Sequence, residues 1–156
     1  MKYVYRERLF MAPFFTIVNV IVLALLVRAA FKFFSGGHFL AFSLLSLAIV
    51  FLLFVGVNFI FLVIKVTTTE LSFRFGVFRV KLFIKNLTGV TVSKFDLGRF
   101  KGYGIKNDSS GNKCFSTATP EGLEFFDKFS KRRIYISSNQ PNELLTILVK
   151  YGASQT

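Results

Sequence analysis

The chain holds one histidine, His38, and one cysteine, Cys114. A Cys–His nucleophile needs the two side chains within hydrogen-bond reach, and the hydropathy pattern described below places them on opposite sides of a bilayer. One imidazole and one thiolate do not make a zinc site, and the acids lack the spacing of a calcium loop. Glu121, Glu124 and Asp127 recur every three residues, which on a strand or hairpin reads as solubilising surface charge rather than an acid/base pair. Gly102-x-Gly104 has too few glycines for a nucleotide-binding loop and no helical pattern after it, so it reads as close packing or a bulge. No catalytic residue, metal or cofactor is expected.

Binding chemistry would sit in the charge. Lys and Arg total 20 against 8 acids, a formal net charge of +12. The densest cluster is Lys128 with Lys131-Arg132-Arg133. Phe125, Phe126 and Phe129 around it read as core rather than as a base-stacking platform, so nucleic acid is set aside as a partner. These four cations, with Lys65 and Lys85, are the expected contacts for anionic lipid head groups. A stricter alternative is recognition of a phosphorylated lipid by Arg79, Lys81 and Lys85 on one strand, although a solvated sheet face would carry the same residues.

The elements that position these residues begin with lipid-soluble sequence. Apolar residues make up 53% of the chain, with 22 Phe and a mean hydropathy of +0.54, more than a wet surface tolerates. Residues 11 to 27 carry no formal charge, and the stretch can continue to residue 34 if Arg28 and Lys32 bend their stems toward the interface. Residues 39 to 64 form a longer run, about 39 Å as a helix against a hydrocarbon core of about 30 Å. Two spans are expected, over about 11–34 and 39–64, rather than a cleaved signal, because Arg28 sits where a cleavage site should be neutral. Ser35-Gly36-Gly37-His38 is so short that the helices must return antiparallel. Lys2, Arg6 and Arg8 stand against Glu7 at one end, and from Lys65 onward 15 basic residues oppose 7 acids. The positive-inside bias puts both termini in the cytoplasm.

After Lys65 the pattern changes to period two. Candidate strands run over 66–75, 77–85, 90–95, 103–106, 113–119, 123–129 and 132–137, separated by turns such as Asn107–Asn112. In the second, Phe78, Val80, Leu82 and Ile84 would face the core, with Arg79, Lys81 and Lys85 opposite. Pro141, Glu143 and the stripe Leu144, Leu145, Leu148, Val149 predict a closing amphipathic helix over 141–151.

Seven strands and a capping helix resemble the order of elements in pleckstrin-homology folds. The stretch 66–76, the segment 84–92, Gly102-Tyr103-Gly104-Ile105-Lys106 and the exit 133–144 are similar to the bacterial PH-like family, commonly carried behind a two-helix membrane hairpin. Lys106 stands where that family often has arginine, and 95–101 matches nothing in it. The resemblance implies an α+β membrane protein: a two-helix transmembrane hairpin over 1–65, then a PH-like seven-stranded β-sandwich or partly open barrel over 66–156. The expected function is a membrane-anchored interaction module of the bacterial cell membrane, without catalysis. It would bind anionic head groups, an unidentified membrane protein or further copies of itself. A specific phospholipid-recognition domain, or a subunit of a membrane enzyme or transport complex, are the alternatives.

Overall fold

The computed structural model describes residues 3–11 and 13–155; Lys2 lies outside them. Helix α1, Pro13–Ser35, and helix α2, Phe39–Phe59, form an antiparallel hairpin. At 1.5 Å per residue they measure about 32–35 Å, and both are long and apolar enough to cross a membrane. The chain buries only 6% of the most apolar window of α1 and none of that of α2, so neither is the core helix of the β body. The turn between them works because Gly37 takes φ +71° and Phe34 packs on Phe42 at 5.1 Å.

The second apolar run does not stay helical to Ile64. It ends as helix at Phe59, and Phe61–Val66 is strand β2, because the hairpin is inserted within a sheet. Strand β1, Tyr5–Phe10, precedes the hairpin and pairs antiparallel with β2 across it, Phe10 opposite Phe61 and Tyr5 opposite Val66. Strands β3, Glu70–Phe75, and β4, Phe78–Phe83, complete a four-stranded meander in the order β1-β2-β3-β4. A boundary after residue 65 therefore cuts through this sheet, and residues 5–10 are strand rather than a basic flank. Alternation does the sorting: Tyr5, Glu7, Leu9, Leu62, Ile64, Val66, Leu71, Phe73 and Phe75 are buried, while the residues between them face outward.

The remaining strands are β5 (Leu87–Lys94), β6 (Gly104–Asn107), β7 (Lys113–Ser116), β8 (Glu121–Asp127) and β9 (Arg132–Ser137). They form a second sheet in the order β5-β8-β9-β7-β6, in which β7 and β9 run parallel and all other pairs antiparallel. All seven strands expected after Lys65 are present, with β1 and β2 in addition, making nine among the described residues. Short helix α3, Leu97–Phe100, was not expected. Helix α4, Pro141–Lys150, buries Leu144 and Leu148 in the common core and leaves Leu145 half-buried and Val149 outward. Phe73 of one sheet meets Phe115 of the other at 4.6 Å within that core.

The sheets do not close into a barrel; β1 is tied to the second sheet by polar contacts instead. Ala118 N donates to Met11 O at 2.8 Å. The buried carboxylate of Glu7 accepts from Tyr5 Oη at 2.9 Å, Ser138 Oγ at 2.7 Å and the Asn139 amide at 2.6 Å. Burial, and then the Glu7 carboxylate it bonds, push the Tyr5 hydroxyl pKa up.

Candidate functional site

Strand direction fixes which residues lie near the helices. Phe10 and Phe61 adjoin α1 and α2, and the β3–β4 turn at Gly76-Val77 returns to the same level. There the Val77 amide donates to Asn58 Oδ1 at 2.9 Å, while Gly76 takes φ +49° so close to Asn58 that a Cβ would collide with it. Asn58 Nδ2 donates to Phe54 O and Asn19 Nδ2 to Phe15 O. The two asparagines thus serve their own helices, and Asn58 also joins helix to sheet.

The six residues expected to meet head groups divide. Lys65 lies on the outward face of β2, with its ammonium 4.5 Å from the Tyr3 ring centre. Lys85 follows the far end of β4, and Lys128 N donates to Asn86 O at 3.0 Å. Lys85, Lys128, Lys131, Arg132 and Arg133 are thus brought together at the end of the sandwich remote from the helices, about 17–20 Å along six-residue strands. Asp127 builds that turn: its buried carboxylate accepts from the amides of Phe129 and Ser130, so it is structural rather than solubilising. Phe126 is partly exposed and Phe129, at the tip, is 87% exposed, so neither is core. A hairpin tip exposes its central side chain whatever that residue's polarity.

A different cationic surface adjoins the helices. On the outward face of the four-stranded sheet, register aligns Arg8, Val63, Arg74 and Arg79 in one row, and Arg6, Lys65, Ser72 and Lys81 in the next. The first row lies two residues, about 7 Å, from Phe10 and Phe61. The Arg8 guanidinium carbon lies over the Phe61 ring, 3.5 Å from its centroid, a cation–π contact that does not consume N–H donors as an ion pair would. Among the described residues both ion pairs belong to Arg99, and none to this face. Glu70, opposite Phe83 in the row beyond these two, is the acid that this face carries among the described residues. Of the strand expected to read a phosphorylated lipid, Arg79 and Lys81 belong here and Lys85 does not. Phe78, expected in the core, is 47% exposed and rests on Phe59 at 5.7 Å. Arg6, Arg8 and Arg74 were not anticipated; the alternation Tyr5-Arg6-Glu7-Arg8-Leu9 is the signal that would have placed the first two.

The outer face of the five-stranded sheet is covered. Phe95 stacks on Tyr103 at 5.2 Å and on Phe100 at 6.1 Å, and lies 5.5 Å from Tyr135, closing over buried Cys114. Burial pushes the Cys114 thiol up to about 11 and raises the Tyr135 hydroxyl as well. Arg99 bonds Asp108 at 2.8 Å and Glu124 at 2.9 Å. Hydrogen bonds from Asn112 hold the Asp108 carboxyl well below its usual range despite the opposing effect of burial, and Arg99 adds to them. Glu124, expected as plain surface charge, is a partner in this pair. His38 lies in the helix turn, and among the described residues no three His, Cys, Asp or Glu side chains gather as metal ligands do. No family model, curated protein or solved structure matches the chain.

Proposed function

We propose that this chain is a membrane-anchored β module of pleckstrin-homology-like type that acts by binding rather than by catalysis. The α1–α2 hairpin crosses the bilayer with both termini in the cytoplasm, and the bare arginine face engages anionic head groups. The observation that carries the reading is the row Arg8, Arg74 and Arg79, without carboxylate partners, about two residues above the helix ends. Each cation near an anionic surface contributes about 1 kcal/mol within a Debye length of about 8 Å, so the near row is in range and the distal cluster is not. The hairpin already supplies attachment; the face adds orientation and lipid preference.

A second reading draws on the opposite end. Phe129 stands exposed among Lys128, Lys131, Arg132 and Arg133, an aromatic anchor rimmed by cations, which suits an acidic protein partner in the cytoplasm.

Lipid exchange on the full chain tests the first reading. The protein, equilibrated in detergent with equal phosphatidylglycerol and phosphatidylcholine, is repurified and its bound lipid quantified by mass spectrometry. Phosphatidylglycerol should be enriched; Gln at 8, 74 and 79 should abolish the enrichment, and Gln at 85, 128, 131, 132 and 133 should preserve it. Loss with the second set alone refutes the assignment.

A further inference from the structure

We infer that the junction of α2 with the four-stranded sheet is a site for one phospholipid, its phosphate held by Arg6, Arg8 and Arg74 and one acyl chain lying along α2 past Val57. The inference rests on the head-group reading and gives it a place and a stoichiometry. A cavity of about 350 Å³ opens at the junction, walled by the three arginines, floored by Val63 and bounded on the helix side by Val57 and Phe61. That volume is near the lower limit for small-molecule pockets, enough for a phosphate-bearing head but not for a whole lipid. The tails must therefore leave it.

Val57 marks the exit. It also lines a second hollow, about 150 Å³ and almost wholly apolar, between α1 and α2, where Leu23, Leu53 and Gly56 are its neighbours. Gly56 leaves this groove open, since a Cβ there would meet nothing within 4 Å. A polar cavity and an apolar groove that share one wall residue at the end of a membrane-length helix have the two-part shape of a phospholipid.

The charge arrangement points the same way. Arg8 and Arg74 flank Val63 across the sheet, so their backbones stand about 9–10 Å apart and both side chains reach a common point above it. Arg6 precedes Arg8 by two residues on the same face. Three guanidiniums facing one cavity repel each other in its absence of acids, and a phosphate relieves that repulsion while accepting paired N–H bonds. Arg8, with its guanidinium carbon 3.5 Å from the Phe61 ring centre, and Phe61 both line the cavity. The site asks for a phosphate joined to acyl chains in a head group of net negative charge, since a choline cation would add to the repulsion among the arginines.

The test is native mass spectrometry of the full, delipidated chain in detergent, titrated with phosphatidylglycerol. One tightly retained lipid per chain is expected. Arg8→Gln and Arg74→Gln should each weaken it about tenfold, as loss of a charged hydrogen bond does. Val57→Trp and Gly56→Phe, which fill the groove and leave every charge, should weaken it similarly with an unchanged thermal midpoint, whereas Lys81→Gln should alter it less than about twofold. Inorganic phosphate and glycerol 1-phosphate, which lack chains, should fail to displace the lipid at equal concentration. Displacement by either, or wild-type binding by both groove variants, would overturn the lipid site. Several lipids bound without saturation at one, and weakened equally by Lys81→Gln and Arg74→Gln, would leave the diffuse head-group reading standing and remove the discrete site. No preference for phosphatidylglycerol over phosphatidylcholine would remove both.

Discussion

The two sheets share one core but treat their outer faces differently. Over the five-stranded sheet, residues 95–103 fold back to bury Phe100, Cys114 and Tyr135, and Arg99 within that cover is held by Asp108 and Glu124, while Arg133 lies beyond it toward the distal turn. Over the four-stranded sheet no comparable segment of the described residues folds back, and among those residues Arg6, Arg8, Arg74 and Arg79 have no acid within ion-pair distance. A net charge of +12 says nothing about this; pairing does. Where the chain supplies both partners, the charge is part of the architecture. Where it supplies only cations beside helices of membrane length, the missing anion is proposed to be lipid.

The sharpest way to break this contrast is to remove a cover residue. Phe100→Ala should cost about 3 kcal/mol, because a buried ring leaves a cavity, whereas Phe83→Ala on the bare face, where the ring is 62% exposed, should stay within about 0.5 kcal/mol. Equal losses in thermal unfolding would show the bare face to be covered as well.

Charge deletion should separate the faces next. Arg99→Gln leaves Asp108 and Glu124 facing each other and should lower the melting temperature by about 3–5 °C. Arg74→Gln relieves repulsion and should leave the melting temperature unchanged or raise it in lipid-free detergent. A drop on Arg74→Gln matching that on Arg99→Gln would mean that Arg74 has a structural partner.

A smaller effect concerns the thiols. Burial pushes Cys114 up to about 11 when folded, against 9.0 for an ordinary thiol. Between these values the unfolded chain has released its proton and the folded chain has kept it, so this contribution to stability, complete below pH 9, falls as pH rises toward 11. At pH 8, iodoacetamide should label Cys114 only after denaturation, whereas a cysteine at the bare face, Ser72→Cys, should react at an ordinary rate. Rapid labelling of native Cys114 would show the cover to be open.

The sequence made the carboxy-terminal strands legible because Val80, Leu82 and Ile84, or Leu123 and Phe125, alternate within short segments bounded by turns. It hid β1 and β2 for a physical reason. Phe61–Val66 continues the apolar run of α2, since its inward residues are core and its outward Phe61 and Val63 adjoin the helix end. Its partner, Tyr5–Phe10, lies beyond the whole hairpin, more than fifty residues away. The arginine row is assembled by that long-range register, as Arg8 and Arg74 meet only across Val63, so no local pattern displays it. The crowding of cations at 128–133 is visible in the sequence, yet their distance from the helices depends on strand direction. The same holds for Asp108, whose link to Arg99 joins a turn to α3.

The central claim is that the bare face, and not the distal basic turn, approaches the membrane. Energy transfer measures this directly: a dye on Ser72→Cys or on Phe129→Cys, in the full chain with native Cys114 shielded, is paired with a head-group acceptor in nanodiscs. Transfer from position 72 should exceed that from 129, rise when phosphatidylglycerol replaces phosphatidylcholine, and fall again in high salt as screening shortens the Debye length. Greater transfer from 129, or a signal at 72 indifferent to lipid charge, would contradict it.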